Sequence, residues 1–542
     1  MPMAKHGQPW LTLLVGLLGV SAVACAPSRA PDHLVVGTKG AISSLDPAKA
    51  YQTRALQLIR ALGDPLYALS ESGELIPRLA AEPPQVSADG LRVTVTLRDG
   101  VHFHDGSPLD GEAMAFSLQR FRDGGGSLSY LLDDVTSITV VGPLELALEL
   151  REPYAPFRNL LSFAGLTPVP ASAYAPCPDG VPAAEATDAN ELCLPADGFV
   201  GTGPYRLVSR SADGTQHRLE RFDGYWGEPA RSARIDLVSL ENSTALFGAL
   251  NNGEVDVLLS SSLEAEHQLE LEKGAAAGRF ATASSPPQTI EVLALATDRP
   301  PLDQVAVRQA LAHALPRSLL STRASQGLNT PLRSLIPDLF PAARPTWPAL
   351  DIGKARQLLT TAGYCQGNPL EVDFTYRSNV PTDGLLALTW QEFLAAHLED
   401  CLTMRIDGLE STTVYDQLDK GAFSMVMYDW APDFLDPENY LRPMIGCNVH
   451  EGNMCKEGDA VYGGVFWFDD EAARLLEEQQ NQAPDQRQDT LVALQERIAA
   501  GVPYIPVWQG RNRAWSQASV TGLGYDGSGW LRLDALGRPT PP

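Results

Sequence analysis

Three aspartates, Asp429, Asp433 and Asp436, crowd the segment "YDWAPDFLDP" (428–437), beside Trp430 and two prolines. The apolar run "FSMVMY" leads into them, which puts the first at the end of a buried strand. A carboxylate there is costly unless a cation meets it. The cation comes either from the chain or from a ligand. Arg377 follows the strand-like stretch "LEVDFTY" (370–376). If the two strands are parallel neighbours, Arg377 and Asp433 share the carboxyl edge where open α/β sheets bind ligands. One cation and one anion there could hold the two ends of a zwitterion. Asp429 and Asp433 could instead be paired carboxylates of a secreted glycoside hydrolase, although no G-x-S-x-G, P-loop or zincin pattern supports catalysis. Asp436 precedes Pro437 and reads as turn-forming. Asp429 fits either a cleft carboxylate or a structural ion pair, and Trp430 fits packing.

Positioning these groups requires an ordered sheet. From residue 286 strands and helices alternate: "TIEVLALAT" (289–297), a helix over 301–315 with Asp303 as N-cap, and another from Asp351 to Ala362 stopped by Gly363. Then come the strand 370–376, a helix over 385–399 and the strand "MRIDGLE" (404–410). That order is a βαβ unit with a right-handed crossover and a parallel strand pair. A short helix (412–419) leads to a further strand, 423–430. The first half is richer in hairpins. Residues 91–121 predict two strands with Asp-Gly turns and then a helix from Asp110 to Arg122, and 137–150 predicts a hairpin. His102 and His104 alternate along this hairpin-like stretch, and no C-x-x-C or H-E-x-x-H accompanies them. We therefore expect neither a metal site nor a cofactor.

The 542 residues, 44% apolar, suit two or three soluble domains. A net charge of -25 argues against nucleic acid as a partner. Lys5 and His6 precede the apolar run 10–24, which is short for a membrane-spanning helix and reads as an export signal. Its end, "AVAC" (22–25), resembles a bacterial lipobox with Ala22 in place of the usual Leu. The expectation is a signal over 1–24, a lipid on Cys25 and a tether over 25–32, the alternative being an ordinary secretory signal cut nearby. The six other cysteines fall into local pairs: Cys177 with Cys193, Cys365 with Cys401, and Cys447 with Cys455. Export allows such bridges to persist.

Taken together, "LDPAKAY" (45–51), "GDPLYALSESGELIPRLAAEPP" (63–84), "SADGLRVTVTLRDGVHFHDGSPLDGEAMAFSLQRF" (87–121), "GTGPYRL" (201–207), "RFDGYWGEP" (221–229), "ALNNGEVDVL" (249–258) and "DQVAVRQALAHAL" (303–315) resemble, in order, the solute-binding proteins of ABC importers for peptides and nickel. The resemblance implies a large, three-domain α/β fold of the bilobal periplasmic-binding-protein type, with mixed sheets and a hinge. It implies a lobe I core of 33–65, 200–287 and 506–542, an extra domain over 66–199, and lobe II over 288–505. It further implies a non-enzymatic, monomeric receptor that captures a di- or oligopeptide and docks on membrane permease subunits. The family's peptide-binding members resemble "W-x-x-D-x-x-[DE]-P" in the opening segment. This puts receipt of an α-ammonium on Asp433, with Asp429, Trp430 and Ala431 around the pocket, and a looser similarity puts a carboxylate-binding arginine at Arg377. Pro432 departs from the small residue common before the aspartate. The loop "GCNVHEGNMC" (446–455) resembles the cystine loop of dipeptide-binding members. The same fold also hosts nickel chelates, haem, opines and oligosaccharides.

Overall fold

The computed structural model describes residues 32–539 except 71–72, 127, 177–191, 196–197 and 261–262. The expected signal, Cys25 and Cys177 lie outside the described residues.

Two long strands, Phe280–Leu295 and Tyr504–Gln517, pair antiparallel and form the spine of an 11-stranded sheet. On one side, Val257–Leu259 joins the spine to His33–Lys39, Arg234–Leu240, Gln216–Arg221 and Tyr205–Arg210 in that order. On the other side come Met425–Trp430, Leu370–Arg377 and Leu402–Leu409. Each side carries helices and its own apolar core, which gives two lobes bridged by the spine. The spine ladder is irregular where Pro286 and Pro287 fall, with register shifts between Ser284, Pro287 and Thr289. Proline has no N–H to give to a ladder, so regular pairing lapses there. The expected lobe boundaries, 287/288 and 505/506, fall within these two strands.

In the second lobe the alternation is as its residues dictate. Strand Leu370–Arg377 pairs parallel with Leu402–Leu409 and with Met425–Trp430. The helix Pro381–Leu398 makes the crossover, with proline in its first turn, where no N–H is missed. Helix Ile352–Thr361 starts at Asp351, whose side chain accepts the Lys354 N–H, and ends before Gly363 at φ +92°. The helix expected over 301–315 is shorter, Val305–His313, and Gln304 rather than Asp303 stands at its N-cap. Tyr428 and the residues before it are buried, whereas Asp429 and Trp430 emerge at the strand end. The predicted βαβ unit is thus present, and the segment after its neighbour Met425–Trp430 reaches the other lobe.

In the first lobe a smaller four-stranded sheet is built from Gln85–Val86, Arg92–Thr96, Glu145–Leu150 and Val135–Gly142. Helix Gly111–Asp123 lies on it, capped by Asp110. Only one of the two strands expected in 91–121 forms. The segment around His102 makes a single bridge to Pro108, because Phe103 and Val101 bury into the core while the chain turns at Gly106, φ +86°. His104 is held by Gly203 and Gly201 backbone groups, and burial lowers its pKa to about 4. It is a structural histidine.

Disulfides join Cys365 to Cys401 and Cys447 to Cys455, and Cys193 is also disulfide-bonded.

Candidate functional site

The strand ends bring acidic groups together, and the sequence dictates how. Glu291 and Asp429 are register partners on adjacent antiparallel strands, so their side chains share a face. Directly opposed like charges repel. Arg377, at the end of the next strand, resolves the conflict. Its Nε donates to Asp383 (2.7 Å), one terminal nitrogen to Glu291 (2.9 Å) and Asp383 (3.3 Å), and the other to Tyr415 (3.0 Å) and Asp429. A guanidinium has five N–H donors, and here all five are used within one lobe. The expected role of Arg377 as the anchor for a ligand carboxylate is therefore corrected. Its side chain is only 4% exposed, and no donor is left over. Three carboxylates on one cation leave the group negative, and burial with mutual repulsion raises Asp383 to about 6 and Glu291 well above its usual value.

Asp436 is fully buried and accepts both terminal nitrogens of Arg487, one at 2.8 Å, and the Asn159 amide of the other lobe at 3.2 Å. It also accepts the Glu438 N–H (2.9 Å), so the expected turn residue is at the same time half of a buried ion pair. Phe434 reaches across and joins the apolar core of the first lobe. With Asp429 and Asp436 paired inside the chain, Asp433 stands apart. Its backbone N–H is fixed by Asn439 Oδ1 (2.7 Å), and its carboxylate accepts the hydroxyl of Tyr130 from the first lobe (2.6 Å). Among the described residues no cation reaches it. Burial accordingly raises its pKa, against the lowering effect of the Tyr130 hydrogen bond. Trp430 donates to the Asn439 carbonyl (2.7 Å), which holds the turn, and Ala431 is exposed.

A cavity of about 780 Å³ opens here between the lobes. Tyr130, Arg151 and Tyr154 line it from one lobe, and Tyr415, Trp430 and Asp459 from the other. A larger cavity, about 1480 Å³, lies beside the spine, between Phe157, Tyr525 and Arg511 on one side and Phe340 and Leu435 on the other. Both carry charged groups and residues of the 429–439 segment, and the smaller one contains Tyr130, the partner of Asp433. Sequence reasoning found Asp433 but missed Tyr130, some 300 positions away, and the arginines of the cavity. Arg442 donates from Nε to Glu438 (3.0 Å), and Arg151 to the Asp133 carbonyl (3.1 Å). No motif marks them. Only the i, i+4 spacing of Glu438 and Arg442 was visible in the sequence.

Two lobes on a two-stranded spine, closed over a polar cavity, define a binding protein that clasps a small solute. Comparison with known proteins agrees. The profile described as "Bacterial extracellular solute-binding proteins, family 5 Middle" matches residues 74–451, and the chain belongs to this family. Its members are the solute-binding components of ABC importers, not enzymes; the hydrolase alternative falls, as does the geometry behind it, since Asp429 is bound to Arg377. The glutathione-binding protein GsiB of Salmonella paratyphi A is 28% identical over 367 residues, an alignment spanning 66% of each chain. Among solved structures, NikA from Brucella suis with Fe(III)-EDTA has a TM-score of 0.79 at 21% identity, covering 94% of this chain and 100% of that one. DppA from Helicobacter pylori with the peptide STSA has a TM-score of 0.73 at 21% identity, covering 94% and 98%. These two carry the fold alone. Among the described residues no helix is long and apolar enough to cross a membrane, and no cluster of metal-ligating side chains occurs.

Proposed function

We propose that this protein captures a short peptide by its free amino end at Asp433 and delivers it to the permease of an ABC importer. The observation that carries the reading is the state of Asp433: a partly buried carboxylate bonded to Tyr130 of the opposite lobe, a residue that lines the interlobe cavity, and lacking a cation among the described residues. A ligand ammonium supplies that cation through a charge-assisted hydrogen bond. Asp429, Trp430 and Ala431 contribute backbone and wall to the pocket. The arginines of the cavity, Arg442 and Arg151, are the candidates for polar contacts further along the ligand, in the role first expected of Arg377. Closure is a hinge motion about the spine, centred on the irregular pairing at Pro287. A lipid on Cys25, carried by the tether 25–32 after removal of 1–24, would keep the receptor on a bacterial membrane facing the periplasm or exterior. It acts as a monomer.

The experiment is calorimetry with one peptide in free and N-acetylated forms. Tighter binding of the free form supports the reading, and equal binding refutes it. A nickel chelate, haem, opine or oligosaccharide as the solute is the alternative within the same fold.

A further inference from the structure

Asp433, which meets the cavity through Tyr130, is not the only carboxylate there without a direct cation among the described residues. Asp459, the first residue of the short helix Asp459–Tyr462 that follows the cystine hairpin, lines the same space. Its side chain is half-buried, and among the described residues it makes no hydrogen bond or ion pair. Arg442 is the cation that acts on it, without coming within ion-pair distance. The position is built rather than accidental. The carboxylate rests on the bare Cα of Gly446, where any Cβ would collide with it, and the Gly463 N–H donates to the Asp459 carbonyl (2.7 Å). Asp433 and Asp459 both act electrostatically on the hydroxyl of Tyr130, the first through a direct hydrogen bond.

The remaining wall points the same way. Glu438 is 1% exposed and shares Arg442 (3.0 Å) and Arg487 (3.9 Å), and its second oxygen, Oε2, has no hydrogen-bond partner among the described residues. Asp133 and Asp134 line the cavity from the first lobe beside Arg151, and Arg442 lines it from the other lobe. A solute that satisfied only Asp433 would leave Asp459 without a direct partner, and a partly desolvated carboxylate in that state is costly.

We infer that Asp459 is a specificity residue for a second cation on the solute, so that the preferred ligands are peptides carrying a lysine or arginine side chain as well as a free amino end. The inference rests on the Asp433 reading for the direction of the peptide but not for the charge preference. Peptides with excess carboxylates are disfavoured by the same wall.

The test is calorimetry with free-amino Ala-Ala-Ala, with the three peptides carrying one lysine, and with Ala-Glu-Ala, on the wild type and on Asp459→Asn. At least one lysine peptide should bind tenfold or more tighter than Ala-Ala-Ala, with Ala-Glu-Ala weakest. Asp459→Asn should reduce that lysine advantage to less than threefold. As a second variant, Gly446→Ala displaces the carboxylate without removing its charge and should likewise erode the advantage. A lysine advantage that persists in Asp459→Asn overturns the inference, as does its absence in the wild type. If acetylated and free peptides bind equally yet the Asp459-dependent lysine preference stands, the Asp433 reading fails and this one survives.

Discussion

Replacing Asp433 by Asn keeps shape and polarity and removes only charge. The amide oxygen still accepts the Tyr130 hydroxyl, now 2.6 Å from the carboxylate, and the backbone bond to Asn439 does not involve the side chain. What is lost is attraction to the ligand's ammonium. At about 3 Å and an effective dielectric near 20, Coulomb's law gives about 5 kcal/mol as an upper figure. Desolvation of both ions offsets part of it, which leaves about 2–4 kcal/mol, within the span measured for close interfacial charge pairs. In affinity that is roughly 30- to 1000-fold. The assay is titration calorimetry of wild type and Asp433→Asn against one peptide, free and N-acetylated. The loss should appear for the free peptide only, since the acetylated one has no ammonium to lose. An equal loss for both forms would mean that the substitution disturbed the cavity rather than a charge pair. No loss for the free peptide would refute the reasoning outright.

Other expectations follow from the same contacts. Peptide affinity should fall on acidification, beginning above the ordinary carboxylate range, because the raised pKa of Asp433 lets a proton compete with the ammonium; calorimetry between pH 4 and 7 checks this, and Asp433→Asn should flatten the profile. Arg377→Met should destabilise the protein by about 3–5 kcal/mol, since it strands three carboxylates that share one cation; a denaturant midpoint unchanged from wild type would contradict it. Asp383, raised to about 6, binds its proton more tightly folded than unfolded. Its contribution is therefore greatest below pH 4 and is lost as pH rises through 6, so Asp383→Asn should remove that part of the pH dependence of urea unfolding. Reducing the Cys365–Cys401 bridge, which spans 36 positions, should cost up to about 4 kcal/mol and leave peptide affinity unchanged.

The second lobe was legible because its signals are local. Asp351 before an apolar periodicity, Gly363 after it, and a strand–helix–strand run with proline opening the helix leave few alternatives. The positions of Arg377 and Asp433 at the carboxyl edge followed from that topology. What escaped was pairing between distant segments. Nothing in "LEVDFTYR" announces that Glu291 and Asp383 will use the donors of Arg377, since they come from another strand and from the next helix. Asp436 shows the same limit, because its proline neighbour pointed correctly to a turn, but Arg487, its half-buried partner, lies 51 positions on. Tyr130 is invisible for a similar reason: its contact with Asp433 exists only because two lobes meet. In the first lobe, alternation in "VHFHDG" suggested a strand, but burial of Val101 and Phe103 is satisfied by one bridge and a turn.

The identity of the solute held at Asp433, a free-amino peptide in our proposal, can be read from the protein itself. It is tested most directly by native mass spectrometry of the full-length protein purified under gentle conditions, with and without Asp433→Asn, followed by fragmentation of whatever is released. The account predicts short peptides with unmodified amino ends on the wild type and their loss from the variant. A metal chelate, tetrapyrrole, opine or sugar released equally from both proteins would contradict it.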